Sequence, residues 1–266
     1  MQPEIKNAFS QLKLPASDSH KGENGKLVFI GGSELFHAPM RWALDTASRF
    51  VDMLFYASVP QNNELIAEAK GNFWNGIVVP QGQVEVYIDE ADCVLIGPGM
   101  ERVEETTEMT NTLLRTFPHK KWVVDAGALQ MVNPELLTSS MIITPHQKEL
   151  ARVATHLELD EDGALQFLSE KGVTIVLKGE TDSLFCNRKN ILIEGGHPGM
   201  TKGGTGDVLA GLMAGLYATN SAEVAAIVSS YVNKKAGETL AQEVGPFFNA
   251  TDLAAQVPKT IHTLLK

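Results

Sequence analysis

Short apolar runs recur along the chain, and most of them end at glycine, proline or a polar side chain. Short runs that are rich in β-branched and other apolar residues are typical of buried strands. The runs that predict strands are Lys26–Ile30, Met53–Val59, Ile77–Val79, Cys93–Ile96, Trp122–Val124, Met141–Ile143, Val173–Leu177, Leu184–Cys186 and Ile191–Ile193. The last two can pair as a hairpin across Arg188-Lys189-Asn190.

Between these runs lie segments whose apolar residues fit helices. Ala38–Phe50 has apolar residues at spacings of three and four, Glu101–Phe117 has acids in its first turn, and Val208–Tyr217 is almost wholly apolar. The chain from Gly206 onward is helical in pattern apart from a break at Gly245–Asn249. Strands that alternate with helices predict an α/β fold with a largely parallel central sheet covered on both faces.

The length and composition indicate one globular unit. The chain has 266 residues, of which 44% are apolar and 20% charged, so it can bury a large core. Residues 1–24 predict a short N-terminal leader and residues 25–266 a single domain. The leader has no apolar stretch of signal-peptide length, and the longest apolar run, Val208–Ala218, is too short to span a bilayer. We therefore expect a cytoplasmic protein.

Charge and cysteine content exclude several functions. The formal net charge of −10 opposes non-specific binding to nucleic acid or to an anionic membrane, although a few local donors can still bind a phosphorylated small molecule. Two cysteines, Cys93 and Cys186, can form neither a disulfide framework nor a structural zinc site. Both lie in apolar runs, so we expect buried thiols.

Polar and glycine-rich residues follow five of the predicted strands. They are Gly31-Gly32-Ser33, Gly97-Pro98-Gly99, Asp125, His146 and Lys178. In open parallel sheets, ligands bind in the crevice beyond the carboxyl ends of the strands. The sequence therefore predicts a ligand cleft at this edge of the sheet.

A glycine-rich segment precedes the apolar helix. Six of the thirteen residues at 195–207 are glycine, and Gly203, Gly204 and Gly206 leave backbone N–H groups unobstructed at the helix start. Free amides and the positive end of the helix dipole form an anion site. The segment fits neither a Walker A loop nor a dinucleotide fingerprint, because the Gly-Lys-Ser/Thr spacing and the early βαβ position are absent.

Asp207 lies in the first turn of that helix, where the dipole favours its ionised form. A carboxylate repels phosphate, so it suits a base that takes a proton from a hydroxyl attacking that phosphate. The alternative is a helix-capping acid after a flexible turn, and the six-glycine context favours the base.

Residues 199–211, Gly-Met-Thr-Lys-Gly-Gly-Thr-Gly-Asp-Val-Leu-Ala-Gly, closely resemble the signature of the ADP/ATP-dependent NAD(P)H-hydrate dehydratases, a ribokinase-like family. The similarity extends from about residue 25 to the C-terminus. It includes Gly25-Lys26 to Gly31-Gly32-Ser33, Leu95-Ile96-Gly97-Pro98-Gly99, Val124-Asp125-Ala126-Gly127-Ala128-Leu129, Ile143-Thr144-Pro145-His146 with Glu149, Leu177-Lys178-Gly179 and Thr251-Asp252-Leu253. The resemblance implies that residues 25–266 form one ribokinase-like catalytic domain.

The resemblance also implies a reaction. The substrate would be NADH or NADPH that carries a hydroxyl at C6 of the nicotinamide ring after hydration. Asp207 would deprotonate that hydroxyl as it attacks the terminal phosphate of ADP or ATP. The ring nitrogen would then expel phosphate and restore the dihydronicotinamide, leaving AMP or ADP.

Site residues follow from the resemblance by motif. Those implied for catalysis are Gly204, Thr205, Gly206 and Asp207. Those implied for the hydrated dinucleotide are Ala38, Gly99, His146 and Asp207. Those implied for the nucleotide are Lys178, Gly179, Glu180, Thr181, Asp182 and Gly206. Glu149 resembles the acid that organises Mg²⁺, through water, in ribokinase-like kinases. A homo-oligomer and cooperation with a separate epimerase are also implied.

The sequence departs from the family pattern at a few positions. His37 and Lys148 stand where glycine is usual, His197 where asparagine is commoner, and Thr201-Lys202 replaces Ala-Thr. Lys202 can contact a phosphate or face solvent. The choices between ADP and ATP and between hydrated NADH and NADPH stay open, with ADP the usual donor of bacterial members. Two alternatives also stay open: a ribokinase-like kinase for a vitamin precursor or sugar, and a nucleotide-binding scaffold that has lost catalysis.

Overall fold

The computed structural model describes residues 1–68, 75–80 and 82–266. The described strands form one mixed sheet in the order β3-β2-β1-β4-β5-β6-β7-β8-β9. Their bounds are β1 Lys26–Ile30, β2 Met53–Ala57, β3 Gly76–Val78, β4 Cys93–Ile96, β5 Lys121–Val124, β6 Met141–Ile143, β7 Thr174–Leu177, β8 Asp182–Cys186 and β9 Lys189–Ile193. Strands β1 to β7 pair in parallel, and β8 and β9 pair antiparallel at one edge.

Helices cover both faces of the sheet. The described α-helices are α1 Pro3–Ser10, α2 Ala38–Ala47, α3 Pro60–Glu68, α4 Val84–Glu90, α5 Glu104–Thr116, α6 Ala126–Met131, α7 Gln147–His156, α8 Glu161–Glu170, α9 Thr205–Thr219, α10 Ala222–Val244 and α11 Ala250–Leu264. The core is split in two by the alternation of the strands. Leu27 and Phe29 of β1 pack with α2, α9, α10 and α11, whereas Val28 and Ile30 pack with α4 to α8. The predicted α/β architecture is confirmed.

The central helix α9 is buried on every side, which explains its wholly apolar sequence. A Cβ at Gly211 would lie 2.3 Å from the carbonyl oxygen of Ala43, so α9 and α2 pack closer than a side chain allows. This contact fixes the position of the α9 N-terminus beside the carboxyl ends of the parallel strands.

Several predicted boundaries were wrong by a few residues. Helix α2 ends at Ala47 rather than Phe50, α5 begins at Glu104 rather than Glu101, and α9 begins at Thr205 rather than Val208. Strand β2 stops at Ala57, short of the predicted Val59.

The predicted hairpin forms, but across a shorter turn than Arg188-Lys189-Asn190. Cys186 pairs with Lys189, so only Asn187 and Arg188 form the turn, with φ of 49° and 62°. Two consecutive residues in the left-handed region match the twist of a two-residue hairpin. Lys189 and Asn190 therefore belong to β9.

The first residues carry a helix that packs on the domain. In α1, Ile5 and Ala8 are buried in the same core as α9 and α10. Phe9 meets Tyr231 edge to face, with ring centroids 6.1 Å apart. A loop follows, in which the backbone N–H of Lys13 donates to Asn220 Oδ1 at 2.8 Å. In the described parts of the chain, no helix combines the length and apolar character that a bilayer crossing requires.

Candidate functional site

Glycines allow the loops after β1, β4 and β5 to meet. The N–H of Gly32 donates to the carbonyl of Pro98 at 2.8 Å. Gly97 has φ of 122°, and a Cβ there would lie 1.8 Å from the carbonyl oxygen of Asp125. Gly99 has φ of 77° and lies against Gly32 in the same way. These contacts bring the loops at the carboxyl ends of neighbouring strands close together at one edge of the sheet, as the sequence predicts.

The start of α9 depends on Gly204. This residue is the N-cap, with φ of 97°, and a Cβ there would lie 2.3 Å from the indole ring of Trp42. The hydroxyl of Thr205 donates to the carbonyls of Met200 and Lys202 at 2.6 and 3.0 Å, so it is used to close the turn. No described residue accepts the N–H of Gly206, which stays available at the helix end.

A lysine and two carboxylates lie together beside that helix end. Lys178 Nζ is 2.9 Å from Asp125 Oδ1 and 3.8 Å from Glu149 Oε2. Burial alone would lower the pKa of Lys178, but the charges of Asp125 and Glu149 outweigh it and raise that pKa. A Cβ at Gly206 would lie 3.8 Å from Lys178 Nζ. The ammonium group is therefore a permanent positive charge at the α9 N-terminus.

Asp207 completes this cluster. Burial first, and then the charges of Asp125 and Glu149, raise the pKa of Asp207 to about 7 against the opposing charge of Lys178. The helix dipole favours the ionised form of this carboxyl, but loss of solvent and two neighbouring acids favour the protonated form, and the net shift is upward. Asp207 therefore exchanges its proton near neutral pH.

His146 and Glu149 form a reciprocal cap at the start of α7. The N–H of His146 donates to Glu149 Oε2 at 2.8 Å, and the N–H of Glu149 donates to His146 Nδ1 at 3.2 Å. Gln130 Nε2 donates to Glu149 Oε1 at 3.1 Å. Burial raises the pKa of Glu149, and the nearby Lys178 ammonium opposes the shift.

These contacts decide how Mg²⁺ could be held. Both oxygens of Glu149 already accept protein hydrogen bonds, and Lys178 stands between Glu149 and Asp125. Within residues 1–68, 75–80 and 82–266, no group of three acids, histidines or cysteines is arranged to hold a metal ion. The donor set fits a magnesium ion carried by nucleotide phosphates and reached through water, and not a closed protein cage.

A cleft of about 790 Å³ opens on one side of this cluster. It is lined by the predicted nucleotide segment Lys178 to Asp182, by Gly206, and by the glycine-rich loop that follows β9. The structure thus brings the two predicted nucleotide segments to one cavity. Two further lining residues, Asn233 and Lys234 of α10, were missed from the sequence.

The side chain of Asp182 holds the nucleotide loop in place. Its Oδ1 accepts from the N–H of Gly179 at 3.0 Å, and its Oδ2 accepts from the Ser230 hydroxyl at 2.6 Å. Lys234 Nζ lies 3.3 Å from the same carboxylate. Asp182 is buried, whereas Glu180 and Thr181 are exposed. Asp182 therefore supports the loop from inside, while Glu180 and Thr181 stay accessible at the cleft.

Lys234 ties this loop to the one after β9. Its Nζ donates to the carbonyls of Gly179 at 3.0 Å, Glu180 at 2.8 Å and Gly195 at 3.4 Å. No sequence pattern predicts this role, since a lysine inside a long helical pattern is typical of a solvated face.

A second cavity, of about 830 Å³, lies beyond the ends of β1 to β4. Gly32, Ser33 and Met100 line it, together with acidic residues of the neighbouring loops. Gly99 borders Gly32, and Ala38 begins α2 at an exposed position. Ala38 and Gly99 therefore lie beyond the carboxyl ends of β1 and β4. His146 lies beyond the carboxyl end of β6, and Asp207 lies in the first turn of α9.

The residues that depart from the family pattern avoid the charged cluster. Lys202 donates to the carbonyl of Pro246 and lies over the Phe248 ring, with Nζ 5.3 Å from the centroid. His197 Nδ1 accepts the N–H of Gly199 at 3.0 Å, which closes the following turn. His37 and Lys148 are exposed.

Comparison with known proteins gives consistent matches. A family model described as NAD(P)H-hydrate dehydratase matches residues 27–259. The ADP-dependent (S)-NAD(P)H-hydrate dehydratase of Cenarchaeum symbiosum is 30% identical over 265 residues, covering 92% of this chain and 91% of that protein. A bifunctional NAD(P)H-hydrate repair enzyme of Methanocaldococcus jannaschii is 32% identical, over 94% of this chain and 50% of its own length. This chain thus spans half of that relative.

Solved structures show the same fold. A ribokinase-like superfamily protein of Enterococcus faecalis superposes with a TM-score of 0.85 at 21% identity, covering 97% of this chain and 94% of its own. The ADP/ATP-dependent NAD(P)H-hydrate dehydratase of Bacillus subtilis, crystallised with ATP and Mg²⁺, gives a TM-score of 0.77 at 19% identity, covering 98% and 97%. The ribokinase-like fold predicted from the sequence is confirmed.

Proposed function

Because the chain belongs to the NAD(P)H-hydrate dehydratase family, we propose that it removes water from hydrated NADH or NADPH with ADP or ATP as phosphoryl donor. The observation that carries the proposal is the Asp207 carboxyl, whose pKa of about 7 and position beside Lys178 suit proton transfer next to a phosphate. The names of relatives that are ADP-dependent favour ADP as the donor.

Asp207 acts as the general base in this proposal. It takes the proton of the hydroxyl at C6 of the hydrated ring while that oxygen attacks the terminal phosphorus of the donor. A base is most effective when its pKa lies near the working pH, because it is then both ionised and strong enough to accept the proton. Burial supplies this tuning.

Lys178 and the start of α9 stabilise the phosphate. The ammonium group and the N–H of Gly206 lie at the same helix end, where the dipole adds positive potential. Negative charge grows on the transferring phosphoryl oxygens, and preorganised positive charge lowers the barrier. Gly204 and Thr205 support this role by fixing where the helix begins.

Asp125 and Glu149 keep Lys178 charged and in place. Mg²⁺ bound with the nucleotide would supply positive charge to the phosphates, and Glu149 would hold it through water. The backbone of Gly179, Glu180 and Thr181 borders the donor, while Asp182 holds that loop. Ala38, Gly99 and His146 border the hydrated dinucleotide.

Phosphorylation turns a poor leaving group into a good one. The new C6–O–P ester breaks at its C–O bond, the ring nitrogen lone pair forms a C=N bond, and phosphate leaves with the bonding electrons. Loss of a proton from C5 then restores the dihydronicotinamide. In the overall reaction, hydrated NADH and ADP are converted to NADH, AMP and phosphate.

The decisive experiment incubates the purified protein with hydrated NADH, Mg²⁺ and either ADP or ATP. We expect NADH absorbance to return, with one AMP or ADP and one phosphate released per NADH. A stable phosphorylated product without NADH would identify a small-molecule kinase instead. Nucleotide binding without any conversion, unchanged in Asp207→Asn, would identify a scaffold.

The resemblance also supports three proposals about context. They are a homo-oligomer, a cytoplasmic location, and cooperation with an epimerase that interconverts the two forms of the hydrate. The bifunctional relatives, whose length is about twice the part that matches this chain, agree with the last of these.

A further inference from the structure

The second cavity, beyond the ends of β1 to β4, has a charge opposite to that of a phosphate site. Four glutamates line it: Glu34, Glu64, Glu101 and Glu105. Among its lining residues that the structure describes, none is a lysine, an arginine or a histidine. Glu101 is the least exposed of the four acids, and no described residue forms a hydrogen bond or an ion pair with its carboxylate. The cavity therefore offers acceptors and negative charge, whereas Lys178 and Lys234 line the nucleotide cleft.

Thr106 gives an independent indication that a polar ligand binds in this cavity. It is 5% exposed and lines the cavity, and its hydroxyl has no hydrogen-bond partner among the described residues. That oxygen is not fully enclosed, unlike the unpartnered hydroxyl of Thr110 one turn later on α5. A largely buried hydroxyl that is reachable from a cavity and has no protein partner is suited to a hydrogen bond with a ligand.

The strand order places this cavity and the nucleotide cleft on opposite sides of the charged cluster. Residues of the cluster follow β5 to β7, the cavity follows β1 to β4, and the nucleotide cleft follows β7 and β9. In phosphoryl transfer the attacking and leaving oxygens lie roughly in line, so donor and acceptor approach from opposite sides. With the donor in the nucleotide cleft, the hydrated dinucleotide extends from Asp207 towards the cavity. At the usual strand spacing, the ends of β5 and β2 are about 15 Å apart, a distance that an extended dinucleotide spans.

We propose that this cavity holds the adenosine half of the hydrated dinucleotide, and that its glutamates, above all Glu101, select hydrated NADH over hydrated NADPH. The two substrates differ only in the phosphate that NADPH carries on the 2′ oxygen of the adenosine ribose. A carboxylate accepts a hydrogen bond from the free 2′-hydroxyl of NADH and repels that phosphate. This inference rests on the proposed dehydration of hydrated dinucleotides, and it identifies which of the two is the substrate.

The first test measures binding of hydrated NADH and of hydrated NADPH to the wild-type protein by calorimetry. No phosphoryl donor is added, so neither ligand is converted. We expect hydrated NADH to bind about 10-fold more tightly, with a smaller preference at about 1 M salt, because salt screens exposed charges. Equal affinities would overturn the proposal. Tighter binding of hydrated NADPH would also overturn it and would indicate a phosphate contact with Arg102, which follows Glu101 in the chain.

This binding test is independent of the dehydratase assay. A preference for hydrated NADH in a protein that converts neither hydrate would support the cavity assignment and contradict the proposed function. Conversion of both hydrates with equal kcat/KM would overturn the preference and leave the proposed function standing.

Variants then assign the preference to the acids that line the cavity. Glu101→Gln is expected to bind hydrated NADPH about 3-fold more tightly than wild type, because one repelling charge is removed. Its affinity for hydrated NADH should stay close to that of wild type, because the amide oxygen still accepts a hydrogen bond. Adding Glu105→Gln should abolish the preference. A Glu101→Gln protein that gains no affinity for hydrated NADPH would contradict the role of Glu101.

Glu104→Gln provides the matched control. Glu104 lies between these two acids in the chain and is exposed in the first turn of α5, but it does not line the cavity. This variant has the same net charge as Glu101→Gln, and its preference for hydrated NADH should equal that of wild type. If Glu104→Gln and Glu101→Gln reduce the preference equally, only the overall charge of the chain matters, and the assignment to the cavity is overturned.

Discussion

Two lysines that line the proposed nucleotide cleft perform different tasks. Lys178 contacts carboxylates, and its side chain is 20% exposed, so a ligand can reach its ammonium group. Lys234 contacts main-chain carbonyls and Asp182, and its side chain is 7% exposed. The charge of Lys178 is available to chemistry, whereas the charge of Lys234 is consumed in holding two loops together. The two side chains carry the same charge, and it is their contact partners that give them different tasks.

The largest effect is expected where the charged cluster meets the substrate. Asp207→Asn should lower kcat about 1000-fold, because an amide cannot accept the proton. ADP binding should survive, because the loop that Lys234 holds is untouched. Initial rates with hydrated NADH and calorimetry with ADP measure the two properties.

Folding of this variant can be checked by its pH dependence. Since the fold raises the pKa of Asp207 from 3.8 to about 7, the folded state binds more protons there than the unfolded state. Ionisation of Asp207 therefore lowers the free energy of unfolding as pH rises from about 4 through about 7. At pH 8, Asp207→Asn should be at least as stable as wild type. A marked loss of stability there would contradict the assigned pKa.

Removing Lys178, the more accessible of the two lysines, is expected to have the next largest effect. Lys178→Gln should lower kcat about 100-fold, because the transferring phosphoryl group loses a preorganised positive charge. Lys202→Gln is the control, since the Lys202 ammonium lies over Phe248 and binds Pro246. A similar loss in both variants would show that only the overall charge of this face matters.

The pH profile sharpens the role of Lys178. In wild type, kcat/KM should fall about tenfold per unit below about pH 7, as Asp207 becomes protonated. In Lys178→Gln, the pH below which kcat/KM falls should be higher than in wild type. The reason is that the Lys178 charge lowers the pKa of Asp207, against burial, Asp125 and Glu149, which raise it. If kcat/KM falls at the same pH in both proteins, the titrating group is not Asp207.

The buried lysine should affect binding and stability more than chemistry. Lys234→Met should raise the KM for ADP about 10-fold, because the loops at Gly179 and Gly195 lose their link. It should also lower the free energy of unfolding by about 3 kcal/mol, because Asp182 is left buried without its cation. With saturating ADP, kcat should change less than in Lys178→Gln.

Lys235→Met is the matched control for that variant. Lys235 is the next residue on α10, one-third exposed, and pairs with Glu238 at 2.6 Å. An ion pair at this exposure contributes about 1 kcal/mol or less, so stability should change little. If Lys235→Met and Lys234→Met behave alike, the loops are not held by the buried ammonium group.

The parts of the site that the sequence predicts are those with a local pattern. Gly204 and Asp207 stand out because a glycine-rich turn opens an apolar helix, and Lys178 because it directly follows a strand. Lys234 has no such pattern, since its partners lie at Gly179 and Gly195, far along the chain. The fold was predicted well for a related reason, because alternating strands and helices are local periodicities.

Other failures come from effects that only the assembled structure contains. The pKa of Asp207 depends on burial and on two acids from other elements, Asp125 and Glu149, so a helix-dipole argument alone does not predict that this pKa is raised. The hairpin turn was placed one residue late, because apolar spacing does not show that Asn187 and Arg188 take positive φ.

The contact between Gly204 and Trp42 has an evolutionary consequence. The indole blocks any side chain at position 204, and it is itself held by a hydrogen bond of 3.0 Å from its Nε1 to the Thr251 hydroxyl of α11. A smaller residue at position 42 would remove the clash with the indole, but neither the approach of 2.7 Å to Ala250 Cβ nor the φ of 97°, which still requires glycine. Among descendants of this chain, position 42 can therefore change while position 204 stays glycine.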